Sequence, residues 1–173
     1  MIRLAIAFIL AALTCDRFAL AVTTISTESP ECTKSIRQAA HDLEINQGLN
    51  ILQPYSSKIR GNSTVPGSQD FQGSNHTRFK IIAHPGAEDY YSEKETRNAE
   101  TFMNDDRSQL RLANQVMARC LNTVLLTFSV NATGRVSAYY RMPKGKIQKG
   151  KIMPCTNDKR IKDNLNWGTY LLC

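Results

Sequence analysis

"VLLTFSVNATGRVSAYYRMPKGKIQKGKIM", Val124–Met153, is the stretch whose reading decides the fold. β-Branched and aromatic residues fill Val124–Val130, and "NATG" at Asn131–Gly134 has the composition of a turn. "RVSAYYRM" resumes the strand pattern at Arg135, "PKG" at Pro143–Gly145 makes a second turn, and "KIQKGKIM" reads as a third strand running to Cys155. Upstream, "RFKIIAHP" at Arg78–Pro85 is a further strand that ends at a Pro-Gly turn. Between it and Val124 lies a helical stripe of Ala99, Phe102, Met103, Leu110, Ala113, Val116, Met117 and Cys120. Ser92 and Glu95 open that stripe with capping-box spacing. "NDD" at Asn104–Asp106 interrupts it, which leaves two helices or one kinked helix open. These elements predict an α+β fold: an antiparallel sheet of three to four strands with helices packed on one face.

Another helix precedes them. In "SPECTKSIRQAAHDL" Ser29 suits an N-cap and Pro30 the first turn, where a missing N–H costs nothing. Cys32, Ile36, Ala39, Ala40 and Leu43 share one face, and Lys34, Arg37, Gln38 and Asp42 lie on the solvated side. From Gln47 to Thr77 the apolar rhythm fades into Gly, Ser, Asn and Pro, so an irregular insert is expected at about 47–77.

The start of the chain reads as an export signal. Met1-Ile2-Arg3 is basic, Leu4–Leu13 is an uncharged apolar run too short to span a bilayer, and "FALA" ends at Ala21 with small residues at the cleavage positions. Acylation of Cys15 is the competing reading, for which "ALTC" is a poor match. Cleavage leaves residues 22–173 as a single α+β domain without a transmembrane segment, exported to a periplasmic or extracellular location. It removes Arg3, Arg17 and Asp16, so the net charge falls from +7 to +6. Cys32, Cys120, Cys155 and Cys173 remain, an even count that points to two disulfides in an oxidising compartment. Three connectivities stay open. The preferred one joins Cys32 to Cys120, tying two helices, and Cys155 to Cys173, pinning the end of "NWGTYLLC" beside the single tryptophan, Trp167.

Most site chemistries find no support. His41, His76 and His84 are scattered, no Cys-x-x-Cys occurs, and Asp105-Asp106 lacks the ligand spacing and central glycine of a calcium loop, so no metal site is expected. There is no G-x-S-x-G, no Walker A loop and no dinucleotide fingerprint, so no catalytic residue is singled out and no cofactor is expected. Asn62, Asn75 and Asn131 each begin an N-x-Ser/Thr triplet, a pattern that also arises by chance.

The concentration of positive charge is the distinctive feature. Nine basic residues stand between Arg135 and Lys162 against Asp158 alone. Arg141, Lys144, Lys146, Lys149 and Lys151 are the candidate contacts for an anionic polymer or an envelope surface, with Gly150 as a bulge that re-aims them. Lysines on an edge strand that block edge-to-edge pairing are the competing explanation, and it has the greater weight. No RNP-like motif, helix-turn-helix or zinc finger supports specific nucleic-acid recognition.

"AETFMN", "VMARC", "LTFSVNATGRVSAYYRMPKGKI", Cys155 and "NWGTYLLC" together make the block Asn98–Cys173 resemble a group of small exported cyanobacterial proteins of unassigned function. The resemblance implies export and a compact disulfide domain, and it brings no activity. The lysine-rich third strand departs from that group's pattern. More loosely, the helix and the "F-x-V-x-x-x-G-R-V" hairpin at Phe128–Val136 are similar to the C-terminal domain of TonB-type energy transducers, which implies an adaptor role. The chain lacks the expected anchor and Pro-rich spacer, which puts that role in doubt. A non-enzymatic exported binding module is the leading expectation, with such an adaptor, or an enzyme of another family, as alternatives.

Overall fold

A computed structural model describes residues 28–59, 74–82, 93–131, 133–154 and 168–172. Helix α1 spans Pro30–Gln47, and the Ser29 hydroxyl caps it by accepting the Cys32 N–H at 3.2 Å. It stops at Gly48, whose φ of 60° is the left-handed conformation that lets the terminal N–H return to the Leu43 carbonyl. The interrupted stripe resolves into two helices, α2 (Glu93–Asn104) and α3 (Asp106–Arg119). Asp105 separates them, because its carboxylate accepts the N–H groups of Arg107 and Ser108, both at 3.1 Å, and so starts a new helix.

Five strands form the main sheet: β1 (Asn50–Lys58), β2 (Asn75–Ile82), β3 (Thr123–Val130), β4 (Val136–Arg141) and β5 (Ile147–Lys149), in the spatial order β1-β2-β3-β4-β5. The expected antiparallel sheet is corrected here to a mixed one. β1–β2, β3–β4 and β4–β5 are antiparallel, but β2 and β3 are parallel, with Phe79 beside Phe128. The connection between β2 and β3 contains α2 and α3, and a helical crossover brings the chain back to the end of the sheet where it started.

Two further expectations change. Within the segment read as irregular, Asn50–Lys58 is a strand, and β2 begins at Asn75, before Thr77. Pro54, Ser56 and Ser57 hide the β1 pattern. Its place at the sheet edge, with a register shift between Leu52 and Tyr55, tolerates the proline that a central strand would reject. The strand expected over Lys146–Met153 is two short ones. After β5 the chain leaves the main sheet at Gly150, and β6 (Lys151–Pro154) pairs in parallel with β7 (Thr169–Leu172) in a separate two-stranded sheet. The Gly150 N–H donates to the Ala138 carbonyl and the Lys151 N–H to the Gly168 carbonyl, both at 2.7 Å. A Cβ on Gly150 would stand 2.5 Å from the Tyr140 ring and 2.6 Å from the Gly168 oxygen, so only glycine lets the two sheets approach this closely.

The sheet separates two apolar layers. On one face α1, α2 and α3 bury Ile36, Leu43, Phe102, Val116 and Met117 against Phe79, Ile81, Leu126, Phe128 and Tyr139. Tyr139 ties the strands to the helix junction. Its hydroxyl donates to Gln109 Oε1 at 3.1 Å, and Gln109 Nε2 donates to the Phe102 carbonyl at 2.7 Å. On the other face a smaller cluster of Ile59, Val124, Leu125, Ala138 and Tyr140 is covered in part by Ile152 and Tyr170 of the small sheet. The Tyr140 hydroxyl fastens that sheet by donating to the Thr169 carbonyl at 2.7 Å.

A disulfide joins Cys32, in the first turn of α1, to Cys120, the C-cap of α3. Cys155 and Cys173 lie outside the described residues, as do residues 1–21, Asn62, His84, Ser92 and Trp167. Among the described residues no helix is long and apolar enough to cross a membrane.

Candidate functional site

The basic hairpin divides by what its side chains already do. Arg141 ends β4 beneath the C-terminus of α3, where its guanidinium donates to the carbonyls of Met117, Cys120 (3.2 Å) and Thr123 (3.3 Å). A helix C-terminus leaves such carbonyls without intrahelical partners, and a cation there also meets the negative end of the helix dipole. Burial lowers the Arg141 pKa from its ordinary value. Lys149 donates to Asp106 at 2.5 Å, across the gap between β5 and the start of α3. With both side chains about half exposed, that pair contributes at most about 1 kcal/mol.

Lys144 and Lys146 flank the turn at Gly145, whose N–H donates to the Met142 carbonyl at 2.7 Å, and Lys151 opens β6. All three are exposed and make no ion pair among the described residues. The structure therefore splits the sequence-predicted set: three cations face solvent, and two hold the fold together.

A second polar surface escaped the sequence reading. On β2 the alternation places His76, Arg78 and Lys80 on the sheet face away from the helices, while Thr77, Phe79 and Ile81 face them. Arg78 sits over the Tyr55 ring of β1, 4.9 Å from its centroid, and donates to the Ser57 hydroxyl at 3.0 Å. Tyr170 of β7 meets the His76 ring edge-on at 6.2 Å, and His76 Nε2 lies 2.9 Å from Thr127 Oγ1. Tyr55, Arg78, Lys80, Ser129 and Tyr170 are all half-buried. The small sheet thus forms a ledge over His76, and the floor beyond it carries two cations among hydroxyls. "HTRFK" at His76–Lys80 held the signal, as a basic side chain at every second position of the strand. Tyr55 and Tyr170 are too far apart in sequence to have joined it.

His76 has a consequence for stability. Burial foremost, and then the Arg78 charge, lower its pKa well below 6.5. In the unfolded chain the ring takes up a proton as pH falls through about 6.5, while the folded ring stays neutral. Stability is therefore complete above that pH and falls by up to about 1.4 kcal/mol per pH unit below it, until the folded ring also titrates. Urea unfolding at pH 7, 6 and 5 is expected to show a steeper loss for the wild type than for His76→Gln. Equal losses would remove His76 from this account.

A third polar cluster belongs to the fold. Glu28, just before the α1 cap, accepts from Ser56 (2.6 Å), Asn75 (2.5 Å) and Thr123 (3.4 Å), which ties the α1 entry to three strands. Asn75 Nδ2, the atom a glycan would occupy, is thus committed on a buried residue, so this triplet is no glycan acceptor in the folded chain. Among the described residues no three His, Cys, Asp or Glu side chains converge as a metal site. The chain matches no family model, no curated protein and no solved structure.

Proposed function

We propose that the protein is an exported, non-enzymatic binding module that holds an anionic polymer or envelope surface on the exposed lysines of its basic hairpin and of the β6 strand that follows it. The observation that carries this reading is the exposure of Lys144, Lys146 and Lys151, unpaired among the described residues, beside two cations that are already engaged. The Cys32–Cys120 bridge supports export, because such bonds persist mainly in oxidising compartments. Arg141 and Lys149 act as supports: one caps α3 beneath the hairpin and the other ties β5 to it. Contact with these lysines is electrostatic, so each one that neutralises an anion releases a counterion and adds about 0.7–0.9 to the slope of log affinity against log salt.

The test is a salt titration of the oxidised chain on heparin, polygalacturonate, DNA and anionic vesicles, beside a Lys144→Gln/Lys146→Gln/Lys151→Gln variant. Loss of roughly two to three units of slope in the variant is the expected result. Salt-independent or undetectable binding by the wild type sinks the proposal.

One observation favours a second reading. β5 is the edge strand of the main sheet, and lysines on an edge oppose pairing with another chain's strand. In that case Lys149→Gln, which removes the lysine of β5, self-associates in sedimentation where the wild type does not, and polyanion binding is absent from both proteins.

A further inference from the structure

We propose that the corner between the small sheet and the floor of the main sheet is a binding site for a hexuronate residue of an acidic glycan. The site is separate from the hairpin tip and is built from β1, β2, β3 and β7. Its cationic element is Arg78, flanked by Tyr55 on the edge strand and by Tyr170 on the ledge. The Tyr55 ring and the Ser57 hydroxyl hold one side of the guanidinium, which leaves Nε and the second terminal nitrogen without a partner among the described residues. That remaining edge is the planar fork that a carboxylate accepts with two parallel hydrogen bonds.

Lys80 follows two residues later on the same face, roughly 6.5–7 Å along the strand, and stands beside Ser129. Neither cation makes an ion pair among the described residues. The floor and walls otherwise carry the hydroxyls of Ser129 and of the two tyrosines, all half-buried. Burial raises the Tyr170 pKa, so its hydroxyl stays a donor through the neutral range.

These groups suit a hydroxyl-rich acid. Arg78 already covers one face of the Tyr55 ring, and the groups around it are hydroxyls. A sugar acid uses tyrosine and serine hydroxyls for its own hydroxyls and Arg78 for its carboxylate. Lys80, two residues further along the same face, supplies the site with a second positive charge.

The experiment is calorimetric titration of the oxidised full-length mature chain with digalacturonate, galactobiose, acetate and a thymidine tetranucleotide. Digalacturonate is expected to bind saturably, and neutral galactobiose and acetate are not, because the site needs both ring and charge. Arg78→Gln is expected to weaken digalacturonate about 10- to 100-fold, the effect of losing hydrogen bonds to a charged group. Lys80→Gln should weaken it by a smaller factor. Lys34→Gln, on the exposed face of α1, should leave it unchanged.

Circular dichroism establishes that each variant is folded. If Arg78→Gln is unfolded, Lys80→Gln decides the question, and undiminished affinity there overturns the proposal. Absence of saturable digalacturonate binding by the wild type overturns it, as does tighter binding of the tetranucleotide. A disaccharide carries too little charge to report on the hairpin tip, so this site and the tip stand or fall separately.

Discussion

Replacing Cys32 and Cys120 together by alanine is expected to lower folding stability by about 4–5 kcal/mol. The bridge closes a loop between residues 88 apart in sequence, and restricting so long a loop removes much entropy from the unfolded chain. The native side adds to the effect. Cys32 lies in the first turn of α1, Cys120 caps α3, and the Cys120 carbonyl is also held by Arg141. Cutting the bond releases two helices at the same end of the sheet, under the hairpin that carries the free lysines. Urea unfolding of wild type and double variant under oxidising conditions measures the loss. A difference under about 1 kcal/mol would show that other contacts already restrain the helices.

Phe128→Ala is expected to cost a similar amount, about 3–5 kcal/mol. Phe128 is fully buried on the central strand and touches rings from three directions: Phe79 at 5.5 Å, Phe102 at 5.2 Å and Tyr139 at 6.0 Å between centroids. Truncation removes the transfer energy of the ring, leaves a cavity among neighbours fixed by backbone pairing, and forfeits the ring contacts. Phe128→Leu retains most of the volume and is expected to cost much less. Comparable losses for the two variants would mean that the site collapses around leucine no better than around alanine.

Much of the fold was legible where local chemistry and tertiary packing agree. Ser29 and Pro30 mark the start of α1, the Asn104–Asp106 break becomes the boundary between α2 and α3, and the β-branched and aromatic run at Val124–Val130 and its resumption at Arg135 become β3 and β4. The pairing of Cys32 with Cys120 was the preferred one of three connectivities that the sequence left open, and the structure holds it. β1 was hidden, because a strand holding Pro54 and two serines looks like a loop until its edge position is known. The parallel pairing of β2 with β3 was equally hidden. It depends on which side of β2 the chain returns to after α3, which no local pattern records.

The candidate site was legible only in part, for a related reason. An arginine that ends a strand looks the same in sequence whether it faces water or a helix C-terminus, so Arg141 could not be told from Lys144. The corner around Arg78 is assembled from residues 55, 78, 129 and 170, and only the alternation on β2 was local.

Whether the exposed lysines of the hairpin and of β6 form the contact surface is read most directly residue by residue. Amide NMR of the oxidised protein, titrated with a sulfated heparin hexasaccharide, reads every lysine environment at once. Salt-sensitive shifts concentrated at Lys144, Lys146 and Lys151 and their neighbours are expected. Shifts confined to the Lys34 and Arg37 face of α1, or no shifts at all, would contradict this assignment.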